Sequence, residues 1–229
     1  MRKLTALIFT LIFVLSFVLA TSTYGQNDNS SFSDGNRSPF ASSKEGDVVL
    51  FAGENWRVLE VHDGKALILS DKVLTSGIYH KSITNKTWED SEIREFLNGQ
   101  FYDDAFSENE KTWITDSAIT NLDNPWYGTS GGVSTIDRVF LLSLEEVIKY
   151  FGDSGRLSKQ DKSGFINDKF NSTRIANDKN SGKPSRWWLR TRGRGSNYAV
   201  TVAINGRVGV NGDIINVGAG VRPALWVKM

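Results

Sequence analysis

The chain has no cysteine. This excludes disulfides, thiol nucleophiles, cysteine-ligated metals and a lipid anchor attached at a cleavage-site cysteine, so cohesion must come from packing. Histidine is nearly absent too, with only His62 and His80 present. Two histidines without cysteine make no zinc site, and neither sits in a motif that would make it the base of a Ser-His-Asp triad. His62 is expected to flank a hairpin turn, and His80 to sit at the surface beside Tyr79. No charge of one sign dominates: 27 Lys and Arg stand against 26 Asp and Glu. That balance gives no reason to expect nucleic acid or a charged membrane surface as partner. What is there is ordinary globular composition, 39% hydrophobic and 23% charged, enough for one sizeable core.

Met1-Arg2-Lys3 is followed by a nearly all-apolar run, Leu4 to Ala20, and then by small residues around Thr21 to Gly25. This is the layout of a secretory signal, expected over residues 1–25. The run is also almost long enough to span a bilayer, so an uncleaved anchor is the rival reading. Cleavage would remove Arg2 and Lys3 and no acid, moving the net charge from +1 to −1. Residues 26–45, rich in Asn, Ser, Asp and Gly, are expected to be a flexible tether. A single globular domain is expected over 46–229.

Within it, Asp47–Phe51, Asn55–His62 and Lys65–Ser70 read as strands, the last two joined by an Asp63-Gly64 hairpin turn. Thr75–Thr87 reads as a loop. Asp90 or Ser91 caps a helix over Glu92–Asn98, which a left-handed Gly99 ends. Ser107…Glu110 and Ser143…Glu146 are capping boxes. Asp137–Leu142 reads as a strand, and 121–135 and 152–183 as long loops. At the C-terminus, Tyr198–Ile204, Arg207–Val210 and Asp213–Val217 form an expected three-strand meander, with turns at Asn205-Gly206 and Asn211-Gly212. The fold class is therefore α+β: twisted antiparallel sheets with short helices and long loops.

Several blocks follow one another in order: Trp56-Arg57-Val58-Leu59, the run Thr87 to Asn98, Phe101-Tyr102 with Ala105-Phe106, Val139 to Ser143, Trp187-Trp188-Leu189-Arg190 and Gly220 to Leu225. Together they resemble a bacterial family, the domain of unknown function numbered 6273, over nearly all of residues 48–228. More distantly, the Trp-Arg block, the Gly-rich hairpin region and the terminal Gly-x-Arg strand are similar to the formylglycine-generating, sulfatase-modifying superfamily. That similarity implies a C-type-lectin-like fold. It does not imply the activity, which uses cysteines, and the lectin calcium motifs Glu-Pro-Asn and Trp-Asn-Asp are missing. Fold alone does not determine function.

Candidate ligand residues are Trp187 and Trp188, Arg190, Arg192 and Arg194, with Trp126 and Tyr127 from the loop 121–135. Aromatic faces suit the apolar side of a pyranose ring, and the planar Arg fork suits an anionic sugar or phosphate. Core packing is the competing reading for the tryptophans, because adjacent strand residues face opposite ways. Arg190 and Arg222, set in apolar strands, need buried partners, and Glu89, Asp90 or Glu92 are available; Arg222, Glu89 and Asp90 are thus expected as structural clamps. Asn177 to Gly182 misses calcium-loop spacing because of Lys179. No catalytic residue, metal or cofactor is assigned. The expected function is a secreted or cell-surface, non-catalytic binding module for a glycan or an extracellular protein, without nucleic acid and without membrane contact after cleavage. The alternatives are an extracellular glycosidase-like hydrolase using paired carboxylates such as Glu89, Asp90, Glu145 and Glu146, or a structural surface protein held by its N-terminal anchor.

Overall fold

A computed structural model describes residues 38–229. The expected signal over 1–25 and most of the expected tether lie outside the described residues. Among those described, no helix is long and apolar enough to cross a membrane.

The chain begins with β1 (Val48–Phe51), β2 (Glu54–His62) and β3 (Lys65–Ser70). Asp63 and Gly64 both take positive φ, 49° and 68°, the conformation that a two-residue hairpin turn requires. A register shift between Val58 and Glu60 places both Val58 and Leu59 in buried positions, as an extra residue in one strand does. Next comes β4 (Thr75–Ile78), where a loop was expected, and then α1 (Glu92–Asn98), α2 (Gln100–Ala105) and α3 (Glu108–Lys111). Ser91, not Asp90, caps α1 by accepting the Arg94 amide. Gly99 ends it at φ −113° rather than in the left-handed region, because the chain passes directly into α2.

The middle of the chain holds β5 (Ser117–Ile119), β6 (Thr135–Asp137), α4 (Leu144–Phe151), β7 (Phe165–Ile166), α5 (Asn171–Arg174), β8 (Ala176–Asn177) and β9 (Pro184–Ser185). The strand expected over Asp137–Leu142 is therefore only its first residue. Beyond it, Phe140 meets Ala224 in an isolated bridge. The capping boxes at Ser107 and Ser143 both form.

The last strands are β10 (Trp187–Arg192), β11 (Tyr198–Val202), β12 (Val208–Ile214), β13 (Gly218–Val221) and β14 (Ala224–Lys228). The expected three-strand meander does not form, because its second and third strands are largely one strand, β12. Asn205-Gly206 turns the β11–β12 hairpin, with the Gly206 amide donating to Ala203. Asn211-Gly212 does not turn the chain. It lies inside β12, where the β11 register slips between Ala199 and Thr201. Gly212 is pinned at φ +75°, with Ala199 O 2.7 Å from where a Cβ would stand. After β12 the chain leaves its neighbour, and β13 runs parallel to β10 instead.

Two main sheets result: β1-β2-β3-β14 and β4-β13-β10-β11-β12-β7. The antiparallel partners β3 and β14 sit in the first, while β4, which follows β3, and β13, which precedes β14, pair in the second. Both segments thus change sheet at one corner, where Ser70 N donates to Pro223 O and Leu74 N to Val221 O. Pro223 has no amide to continue the ladder, which suits a strand that switches sheets.

One buried cluster runs from Phe40 to Val227 through both sheets and contains Trp56, Trp88, Trp187 and Trp188. Packing starts earlier than the boundary expected at residue 46. Phe40 is fully buried and meets the Phe51 ring edge-on at 5.2 Å, and Ser38 Oγ donates to Lys228 O.

Candidate functional site

The corner between the sheets forms the floor of an open pocket of about 810 Å³. Its walls come from elements far apart in sequence: Arg57 and Leu59 on β2, Asp71 and Lys72 after β3, the last turn of α4, and Thr173 to Asn177 around α5 and β8. Helix α4 is aimed at this place by its capping box and is stopped by Gly152 at φ +84°. Its last carbonyls are capped from the α5 segment, Phe151 O by Thr173 Oγ1 at 2.9 Å and Gly152 O by the Arg174 guanidinium.

Arg222 is 3% exposed and lines this pocket. Its Nε donates to Ser70 O at 2.8 Å and its Nη2 reaches Asp71 O at 3.4 Å. The guanidinium lies 5.0 Å from the Trp187 ring and 5.5 Å from the Phe151 ring. Nη1 has no partner among the described residues. Burial pushes the Arg222 pKa down to about 10, with nearby Asp71 working against the shift and Arg57 adding to it. The group remains a cation at neutral pH.

Of the other charged side chains of the wall, Arg57, Asp71 and Lys149 are paired. Arg57 Nη2 bonds Asp71 Oδ1 at 2.8 Å. Lys149 Nζ lies 2.5 Å from Glu60 Oε2, and the Tyr150 hydroxyl donates to the same oxygen. The Lys149 bond, with that of Tyr150, holds the Glu60 carboxyl below its ordinary range. Burial and the bond to Glu60 push the Tyr150 phenol upward. Near neutral pH, Glu60 is therefore ionised and Tyr150 protonated.

The residues singled out from sequence do not assemble into one site. Trp187 and Trp188 are fully buried and offer no face to a sugar. The Trp187 indole donates to Arg174 O at 3.2 Å, and that of Trp188 to Gly77 O at 3.0 Å while it packs edge-on against Tyr79. Arg190 is a buried clamp on Glu146, and Arg192 bonds Ser130 O and Asn85 Oδ1. Arg194 is exposed and lies over the Tyr198 ring at 4.6 Å. Trp126 is buried and donates to Leu157 O at 2.8 Å, so the two long loops meet there, while Tyr127 is half-buried beside it.

The clamp partners also differ from those expected. Glu89 is exposed, and Asp90 accepts bonds from Thr87 and Lys86, so neither touches Arg190 or Arg222. Arg222 clamps main-chain carbonyls instead, which carry no side-chain signal in a sequence. His80, expected at the surface, is 8% exposed, with Nδ1 3.7 Å from Glu92. Of the pocket's wall, only Arg222 stood out from sequence. Arg57, Lys149 and Tyr150 are ordinary strand and helix residues whose convergence depends on tertiary packing. Among the described residues no cluster of His, Asp and Glu could hold a metal ion.

The family model described as "Domain of unknown function (DUF6273)" matches residues 63–229. No curated protein and no solved structure matches the chain.

Proposed function

We infer, for a chain that belongs to the family of unknown function DUF6273, an exported, non-catalytic binding module whose pocket at the sheet-switching corner receives part of a glycan or of an extracellular protein. The observation that carries this reading is the state of the wall. Its volume of about 810 Å³ falls within the range of small-ligand sites. On this wall, Lys149 and Tyr150 are both held by Glu60, which lies outside the lining; their bonds keep the Glu60 carboxyl below its ordinary range, while burial and the bond to Glu60 push the Tyr150 phenol upward. Groups whose pKa values are driven away from neutrality serve recognition better than proton transfer, which needs a pKa near the working pH. The C-type-lectin-like scaffold is part of the same proposal. It is supported by the return of β14 to the first sheet beside β3 and by the long segments between the early and late strands. Export rests on the N-terminal apolar run and its small-residue flank.

The test is a glycan array and a pull-down against extracellular proteins with the wild-type chain and with Tyr150→Ala. A ligand captured by wild type and lost in the variant, with an unchanged circular dichroism spectrum, supports the module. Turnover of a polysaccharide that disappears with Glu89→Gln or Asp90→Asn would establish the hydrolase reading instead.

A further inference from the structure

The described part of the chain holds four deeply buried arginines, and they are not treated alike. Arg174 is joined to Asp168 at 3.1 Å and Arg190 to Glu146 at 2.5 Å. Arg192 is met by a carbonyl and by a neutral side-chain amide and lies away from the pocket. Arg222 alone among them lines the pocket, and it has neither a bonded carboxylate nor a partner for Nη1. A buried cation without a counter-charge is costly, and proteins ordinarily pair it. The cost persists here because the guanidinium is held rigidly between the Trp187 and Phe151 rings and by the Ser70 carbonyl.

The rest of the wall leans the same way. Arg57 and Asp71 cancel each other, and Lys149 is taken up by Glu60. That leaves Lys72 and Glu45, both exposed and neither in an ion pair among the described residues. With Arg222 in the lining, the uncompensated charge is positive and sits on a residue only 3% exposed.

We propose that this pocket binds its ligand through an oxyanion, a carboxylate or a sulfate ester carried on a saccharide, with the Arg222 guanidinium as the inner cation and Lys72 as the outer one. This rests on the binding-module reading and specifies its ligand class. A charge-assisted bond made in a low-dielectric wall is stronger than a neutral one. The planar guanidinium, already fixed by its two ring neighbours, loses little freedom in making it. A neutral sugar would leave the guanidinium charge as it stands.

The experiment measures the thermal stabilisation of the full chain by glucuronate, a sulfated glucose and plain glucose, titrated at constant ionic strength set with sodium chloride. Either anionic sugar is expected to bind about tenfold or more tighter than glucose, and whichever binds tighter identifies the oxyanion. Arg222→Lys should remove most of that preference. Should Arg222→Lys not fold, Lys72→Met keeps the test open: Lys72 is exposed, and its loss should weaken the anionic sugars severalfold more than it weakens glucose, an equal loss for all three overturning the oxyanion. Equal shifts from all three sugars would overturn the oxyanion and leave the binding module standing. No shift from any of them overturns the oxyanion too, and a silent glycan array and pull-down besides would sink the module with it.

Discussion

Arg190 grips Glu146 with both terminal nitrogens, Nη1 at 2.5 Å from Oε2 and Nη2 at 2.9 Å from Oε1. The same Oε2 accepts the Ser143 amide at 2.8 Å. One carboxylate therefore closes the capping box of α4 and neutralises a guanidinium buried under β10. This fastens to the second sheet the helix whose far end walls the pocket. A bidentate Arg–carboxylate pair supplies orientation as well as energy.

Glu146→Ala should accordingly cost more than Arg190→Met. The first removes the cap and strands a buried charge, a loss of about 3–5 kcal/mol. The second leaves a carboxylate side chain that is already 25% exposed and can be hydrated. Urea denaturation of the two variants gives the order. The reverse order would mean that the Arg190 bonds to the Leu141 and Thr120 carbonyls outweigh the unpaired charge.

Phe40 tests where the folded body begins. Its ring is fully buried against Phe51, so Phe40→Ala should destabilise by about 3–5 kcal/mol in denaturant titration. A loss under about 1 kcal/mol, typical of a surface change, would place residues 38–45 outside the cooperative unit.

Two glycines separate backbone strain from steric collision. Gly53 has φ +71° and nothing within 4 Å of where a Cβ would stand, whereas Gly206 has φ +78° and Asn171 O only 1.7 Å from that position. Gly53→Ala should cost about 1–2 kcal/mol, the left-handed penalty alone. Gly206→Ala must in addition displace α5, and with it the pocket wall at Thr173, and should lower the melting temperature far more. Similar melting temperatures for the two variants would contradict this packing.

The Glu60 carboxyl is held low in the fold by Lys149 and Tyr150. A depressed folded pKa contributes stability that is complete above the ordinary value of 4.5 and is lost as pH falls through the lower folded value. The stability gap between wild type and Glu60→Gln should therefore be constant above about pH 5 and close progressively below it, read from urea midpoints across the acid range. A gap that persists to the lowest pH would mean that shape, not ionisation, sets the contribution of Glu60.

The sequence by itself determined the features whose chemistry closes within a few residues. Asp63-Gly64 supplies the positive φ of a hairpin. Ser91 and Ser143 reach amides three residues on, and Lys65–Ser70, apolar on both faces, takes an interior place between β2 and β14. Each depends on a side chain acting on nearby backbone or on a local hydrophobic pattern, so it can be read from a window of the chain. Tertiary structure alone decided which sheet each late strand joins, and that Asn211-Gly212 bends a strand instead of turning it. It also buried both Trp187 and Trp188 and brought Arg222 beside Ser70, Arg57 beside Asp71 and Tyr150 beside Glu60. Such pairings are chosen by how two apolar sheets cover one another, and the free energy of covering depends on surfaces that no local stretch of residues contains.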